Sequence, residues 1–378
     1  MPEGKLSASD VLTIAASDPR PWLDAVRDRV TALASRRTDP DRATKLGLAV
    51  DKKGNREADV RDHKAIKVVY GINRSYLVPA AVSIHSMCER ATAPLEIVVY
   101  GDGLGSSDHQ TLRRVGEVSG AAIDIRRYDP SGVGDFKWNF HARWPAILAL
   151  RLELPWLAAG RCLFIDVDTL VVGDVSEIMS IDLQGMPLGA CMDPAIDGSW
   201  NLAKPRRRLI QRRFSDALLP KRSRRLRESE LYRAVRMGLR PGDVYFNAGV
   251  LVMECDAIRA LAPPHFRCPP LNDFCGMEPY NEHFLDQDWF NEFFAGRYRR
   301  LPLRWNINPT ARPTHWPKSA RHELDGALQD PGIWHFMGYK KPWSRSLKSQ
   351  LRWQRHPAFQ AWHDTYSKIR DLCGLEDP

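Results

Sequence analysis

The chain predicts an α/β protein with a mostly parallel central sheet flanked by helices, and three observations carry that expectation. From Ile66 onward, short β-branched runs (IKVVYGI, LEIVVYG, AAIDIRRYD) alternate with stretches of helical character at Pro79–Glu89 and Ser107–Val118, the rhythm of βαβ units. Right-handed crossovers join such runs as parallel neighbours in one sheet. Further on, Leu163–Val172 reads LFIDVDTLVV, an apolar run with the look of a buried central strand, interrupted by two carboxylates. Length and composition agree: 378 residues, 43% hydrophobic and 27% charged, suffice for one large α/β domain with appendages or for two modest domains.

Residues 1–63 read as an N-terminal helical appendage and linker. Trp22, Leu23, Val26, Val30 and Leu33 recur at helical spacing behind Pro21, a residue suited to a first helical turn, and a charged stretch follows. The N-terminus lacks the basic start, continuous apolar core and small-residue cleavage site of a secretory signal, and no stretch of 18 apolar residues occurs. A cytoplasmic protein is expected. The cysteines, seven in number, sit mostly in apolar runs and are expected to be reduced. Cys268 and Cys275 are close in sequence, without further Cys or His at zinc-like spacing.

The main domain is expected over residues 64–343. After the βαβ units comes a helix near Ala142–Leu154, then the strand with Asp166 and Asp168. Asp174 and Glu177 stand at the N-cap and N3 spacing of a capping box, which gives that further acid a structural task. PLGACMD, VYFNAGVLVME, RLPLRWNIN and GIWHFMG read as further strands or strand ends. Between the first two lies a basic insertion, residues 204–240, with fourteen Lys or Arg against Asp216, Glu228 and Glu230, a local +11 in a chain of net charge +9.

Charge so concentrated points to an anionic partner such as an acidic glycan, phospholipid headgroups or nucleic acid. Leu209, Ile210, Phe214, Ala217 and Leu218 add an apolar stripe. A basic amphipathic helix on the anionic inner face of a membrane and a solvated insertion therefore stand as alternatives. Nucleic acid is disfavoured, because Phe214 and Tyr232 are the segment's whole aromatic content and a stacking platform needs more. The tail, 344–378, mixes Trp353, Trp362 and Tyr366 with basic residues and reads as a helix packed on the domain.

Chemistry concentrates where polar residues end apolar runs. Side chains alternate along a strand, so Asp166 and Asp168 at i and i+2 point to one side. Buried charge calls for compensation, and the two can grip one cation together. In an open α/β sheet such a pair lies beyond the carboxyl ends of the strands, where ligands bind. Further segments of this kind are Asn73–Ile84 (NRSYLVPAAVSI), Tyr245–Val250 (YFNAGV), Leu285–Trp289 (LDQDW) and His335–Trp343 (HFMGYKKPW).

Together with Asp166-Val167-Asp168, and in this order and spacing, these segments resemble the retaining glycosyltransferases of family 8, across Lys64–Trp343. The resemblance implies a GT-A type, Rossmann-like fold and a hexosyltransferase that moves glucose or galactose from a UDP-sugar to a glycan or glycolipid acceptor. It implies Mn²⁺, or another divalent cation, held by Asp166, Asp168 and His335, a set of two carboxylates and an imidazole that suits this metal. Tyr76 and Asn73 match base-binding positions, Gly338 and Lys341 the diphosphate site, and Arg151, Asp193 and Asn247 the sugar site. Asp286 and Gln287, with Lys341, match the catalytic positions.

This sequence departs from the family pattern where Asn73 replaces an acidic residue and Ser75 an asparagine. An amide oxygen still accepts the uracil N3 proton, so UDP remains the expected nucleotide. An amide is a poor nucleophile, and front-face departure and attack are expected at Gln287. Asp288 is assigned to supporting its loop and Trp343 to packing. Two alternatives are a nucleotidyltransferase of similar fold, which leaves HFMGYKKPW unexplained, and a non-catalytic basic binding protein acting through residues 204–240.

Overall fold

A computed structural model of the chain describes residues 65–129, 146–193, 244–262, 285–311, 316, 318–338, 341–344 and 356–376. The appendage 1–63, the basic insertion 204–240 and the pair Cys268 and Cys275 lie outside the described residues. The βαβ rhythm of the sequence is realised as β1 (Ile66–Asn73), α1 (Leu77–Cys88), β2 (Leu95–Asp102), α2 (Ser106–Ser119) and β3 (Ile123–Arg127). Then follow α3 (Leu150–Leu157), β4 (Arg161–Ile165), β5 (Thr169–Val171), α4 (Val175–Ser180), β6 (Leu188–Met192), β7 (Phe246–Glu254) and α5 (Cys255–Leu261). The remaining elements are α6 (Leu285–Phe293), β8 (Tyr298–Leu301), α7 (Arg321–Gln329), β9 (Ile333–His335) and α8 (Pro357–Cys373).

The main sheet has 7 strands in the order β3-β2-β1-β4-β7-β6-β8. β1 runs parallel to β2 and β4, β2 to β3, and β6 to β8, whereas β7 is antiparallel to both its neighbours. The chain leaves β1 in one direction towards β3 and returns on the other side as β4. That reversal opens a crevice beyond the ends of β1 and β4. Asn73 ends the first of these strands and Asp166 follows the second.

Alternation along the strands divides the core between the two faces. In β1, Ile66, Val68, Tyr70 and Ile72 pack on one face with residues of α1, α2, α7 and α8, and Val69 packs on the other. In β4, Leu163 and Ile165 join the first face, while Cys162 and Phe164 join the second, which α3, α5 and α6 cover. Helices on both faces make the three-layer α/β arrangement that apolar strands on both sides require. α2 is stopped by Gly120 and α8 by Gly374, both in the left-handed conformation, and Pro357 opens α8 where its missing N–H costs nothing.

Two local expectations are corrected. Leu163–Val172 is not a single strand: β4 ends at Ile165, and β5 belongs to a separate two-stranded sheet with β9. Asp166–Asp168 form the turn between them, and the turn is pinned by side chains of β5, α1 and β1. Thr169 Oγ1 donates to the carbonyl of Asp166 at 2.8 Å and so accepts from Ser83 Oγ at 2.7 Å, which in turn accepts from Tyr70. The capping box is half formed. Asp174 caps α4 by accepting from the Ser176 N–H at 2.9 Å, but the Glu177 carboxylate accepts from Arg304 at 3.0 Å instead of returning to the cap.

No disulfide joins the described cysteines. No described helix is long and apolar enough to cross a membrane.

Candidate metal and sugar-donor site

The antiparallel pairing of β5 with β9 decides which residues meet. Thr169 stands opposite His335, and the Phe336 N–H donates to the carbonyl of Asp168 at 2.8 Å. The imidazole therefore lands beside the Asp166–Asp168 turn although far from it in sequence. His335 Nε2 is 3.1 Å from Asp168 Oδ1 and 3.8 Å from Asp166 Oδ2. One ligand atom from each residue falls within 4.8 Å of the others. Two carboxylates and a neutral imidazole are donors that fit a divalent ion of the Mn²⁺ type.

Electrostatics separates the two acids. Burial raises the Asp166 carboxyl, and the neighbouring Asp168 charge adds to this; Arg151 and His335 offset only part, leaving a pKa of about 6. Burial pushes Asp168 the same way, but His335 and Lys341 outweigh it and hold that carboxyl well below the usual range. Lys341 Nζ pairs with Asp168 Oδ2 and donates to the carbonyl of Phe336 at 2.7 Å.

Arg151 is the second fixed cation. Its buried guanidinium donates from Nη2 to Asp166 Oδ1 at 2.9 Å, pairs through Nη1 with Asp286 Oδ2 at 2.8 Å, and lies over the Phe164 ring at 5.1 Å. It thus ties α3, the Asp166 turn and α6 together. α6 also contributes Gln287, whose Oε1 accepts from the Ala248 N–H at 3.0 Å and whose Nε2 donates to Asp193 Oδ2 at 3.2 Å.

A bulge in β7 aims the remaining polar groups. Pairing with β6 shifts register between Ala190, opposite Leu251, and Met192, opposite Phe246, so extra residues of β7 arch out around Asn247–Gly249. Asn247 Nδ2 donates to Asp193 Oδ2 at 3.1 Å, and its Oδ1 accepts from the Gly249 N–H at 2.8 Å and from Asn306 Nδ2 at 2.9 Å. Asn306 Oδ1 lies 2.8 Å from His335 Nδ1. The Gly249 carbonyl accepts from the Asp166 N–H at 2.7 Å. A Cβ on Gly249 would stand 2.3 Å from His335 Cε1, which is why this position carries none.

Asp166, Asp168, His335, Lys341, Arg151, Asp286, Asp193, Asn247 and Gln287 therefore form one contiguous polar cluster. The residues expected for the base lie at the neighbouring end of β1. Asn73 Oδ1 is buried without a hydrogen-bond partner among the described residues. Tyr76, half-buried, meets Trp343 edge-on at 6.4 Å; Trp343 in turn packs on Trp362 of α8 at 5.4 Å. Gly338 has φ +77°, a left-handed turn in the exposed strand exit towards Lys341. The side chain of Asp288 lies outside what is described.

Sequence reasoning missed Asn306 and Gly249. The usable signal for Asn306 was a lone amide between Trp305 and Ile307, an apolar setting in which a buried polar group must have partners.

The family profile described as Glycosyl transferase family 8 matches residues 67–346. The chain is similar to the lipopolysaccharide 1,2-glucosyltransferase of Escherichia coli (strain K12), with 20% identity over 294 residues, 77% of this chain and 76% of that protein. It is also similar to general stress protein A of Bacillus subtilis (strain 168), with 23% identity over 212 residues, 53% of this chain and 60% of that one. Among solved structures, the apo WbbM bifunctional glycosyltransferase superposes with TM-score 0.59 at 20% identity, over 82% of this chain and 50% of that chain. The galactosyltransferase LgtC, in complex with donor and acceptor sugar analogues, superposes with TM-score 0.56 at 17% identity, over 81% of this chain and 100% of that one. At such identities the structural likeness establishes the fold, an α/β fold of the GT-A glycosyltransferase type.

Proposed function

Since the chain belongs to glycosyltransferase family 8, we propose that it is a retaining enzyme that transfers a hexose, glucose or galactose, from a UDP-sugar to a glycan or glycolipid acceptor, with Mn²⁺ held by Asp166, Asp168 and His335. The observation that carries this reading is the convergence of those three side chains within 4.8 Å, beside Lys341, in the crevice beyond β1 and β4. When bound, the metal ion supplies positive charge against the diphosphate of the departing nucleotide.

The chain's own residues do the rest. Lys341 carries a second positive charge to the diphosphate, where negative charge develops as the glycosidic bond breaks. Asn73 Oδ1, buried and unpartnered, accepts the uracil N3 proton, and the Tyr76 ring covers the base. Arg151 holds Asp166 and Asp286 at fixed positions, and Asp286, Asp193 and Asn247 face the sugar hydroxyls. Gln287 is gripped at both ends of its amide by Ala248 and Asp193. It stiffens the sugar site without acting as nucleophile. The acceptor hydroxyl attacks from the face that UDP leaves, and its proton passes to the leaving phosphate oxygen.

Residues 64–343 form the catalytic domain in this reading, and the basic segment 204–240 engages an anionic acceptor or the anionic face of a membrane. UDP release across a panel of UDP-sugars, with Mn²⁺ and with EDTA, tests the proposal. Metal-dependent release from UDP-glucose or UDP-galactose is expected. No release from any sugar, together with no Mn²⁺-dependent thermal stabilisation by UDP, overturns it.

A further inference from the structure

We propose that Asn306 is a positioning residue that holds a proton on Nδ1 of His335 and so keeps Nε2 open to a metal ion, through a relay whose direction is dictated by the backbone amide of Gly249. A backbone N–H can only donate, so the Asn247 atom 2.8 Å from the Gly249 nitrogen is its carbonyl oxygen. The other end of that amide is then NH₂, which agrees with its contact to the Asp193 carboxylate at 3.1 Å. The same Asn247 oxygen takes a second hydrogen bond at 2.9 Å, which must come from the NH₂ of Asn306. The atom that Asn306 turns to His335 Nδ1 at 2.8 Å is therefore an oxygen, an acceptor only. Nδ1 carries the hydrogen.

A neutral imidazole has one N–H, so Nε2 is left with its lone pair facing Asp166 and Asp168, as a metal ligand requires. The relay works against a local force. Asp168 Oδ1 stands 3.1 Å from Nε2, and by itself this carboxylate draws the proton to Nε2, where it would block the metal. Burial makes the relay decisive: Asn306 is 2% exposed, His335 4% and Asn247 7%. Backbone register locks the partners together, because His335 N–H donates to the Ile307 carbonyl at 2.9 Å and Ile307 N–H to the Ile333 carbonyl at 3.1 Å.

The benefit to the metal rests on reading Asp166, Asp168 and His335 as a cation site, but the tautomer is a property of the metal-free chain and is measured there. The full chain, labelled with ¹⁵N-histidine and freed of metal, is examined by long-range ¹H–¹⁵N correlation at alkaline pH, with the His335 signals assigned by their loss in His335→Gln. Nδ1 is expected to be protonated and Nε2 not. In Asn306→Leu, close in size but unable to accept, the proton moves to Nε2, and calorimetry shows Mn²⁺ binding weakened by about 10- to 100-fold.

A wild-type neutral ring protonated on Nε2 overturns the proposal, and so does a Leu variant that keeps the proton on Nδ1. Should that variant not fold, the wild-type spectrum alone decides. A proton on Nδ1 in a chain that binds no Mn²⁺ supports the relay and removes the metal reading instead.

Discussion

An alanine at Gly249 would bring its methyl carbon within 2.3 Å of His335 Cε1 and 2.7 Å of Asp166 Oδ2, so ring and carboxylate must both give way. Gly249→Ala is expected to cost about 1–3 kcal/mol as an overpacking change and to abolish the rise in melting temperature on adding Mn²⁺; thermal unfolding with and without the metal measures both. Asp166 sets the pH window of the site. Its carboxyl lies near 6 in the folded chain against an ordinary 3.8, so between those values the folded state binds more protons than the unfolded one. Its share of stability is therefore greatest at low pH and declines as pH rises through that interval. Asp168, held low, has the opposite sign: its contribution is present above its ordinary value and is lost on acidification. A metal needs Asp166 ionised, so Mn²⁺ affinity in titration calorimetry should fall by roughly tenfold per unit below pH 6. Asp166 and Asp168 stood out in the sequence because carboxylates in an apolar run demand an explanation, whereas His335 was marked as a ligand only by the family resemblance; the fold brings the three together. Asn306 did not stand out, because its partner depends on the pairing of Ile307 with Trp334, a register no local pattern encodes.

Among the elements, β1 to β3 and their helices were readable to within about two residues at each end, since the strands carry β-branched residues and are bounded by polar turns. The run Leu163–Val172 was misread as one strand for a physical reason: both halves are buried, so hydrophobicity gives no sign that they belong to different sheets. The break is set by pairing, where Ile165 takes Val250 as its last partner and the Asp166 N–H turns to the bulged Gly249. α8 shows how a distant element reaches the site. Trp362 is fully buried, stacked on Tyr366 at 5.6 Å and packed against Trp343, which contacts Tyr76. Trp362→Ala is expected to cost about 3–5 kcal/mol in denaturant unfolding. Below its melting temperature it should raise KM for the UDP-sugar more than it lowers kcat, because Tyr76 loses its backing while the metal cluster is untouched. An unchanged KM would separate α8 from the proposed base site.

On the scale of the whole molecule, the sheet gathers groups from β1, α3, the β4–β5 turn, β7, α6 and β9 into one crevice, and only the closed fold makes them neighbours. Much of the cluster's negative charge is already countered before any ligand arrives. Lys341 pairs with Asp168, and Arg151 lies between Asp166 and Asp286. Lys341 thus competes with a cation for Asp168, and a metal bound there as proposed would displace its ammonium. A diphosphate gives the displaced ammonium somewhere to go. Metal and nucleotide should consequently bind with positive linkage, each tightening the other by the same factor. In calorimetry, Lys341→Met is expected to bind Mn²⁺ more tightly than the wild type without UDP and to lose most of the gain that UDP confers. In the proposed function, metal binding is then strongest when a donor is present, because the ammonium that pairs with Asp168 in its absence is the one that would meet the phosphate.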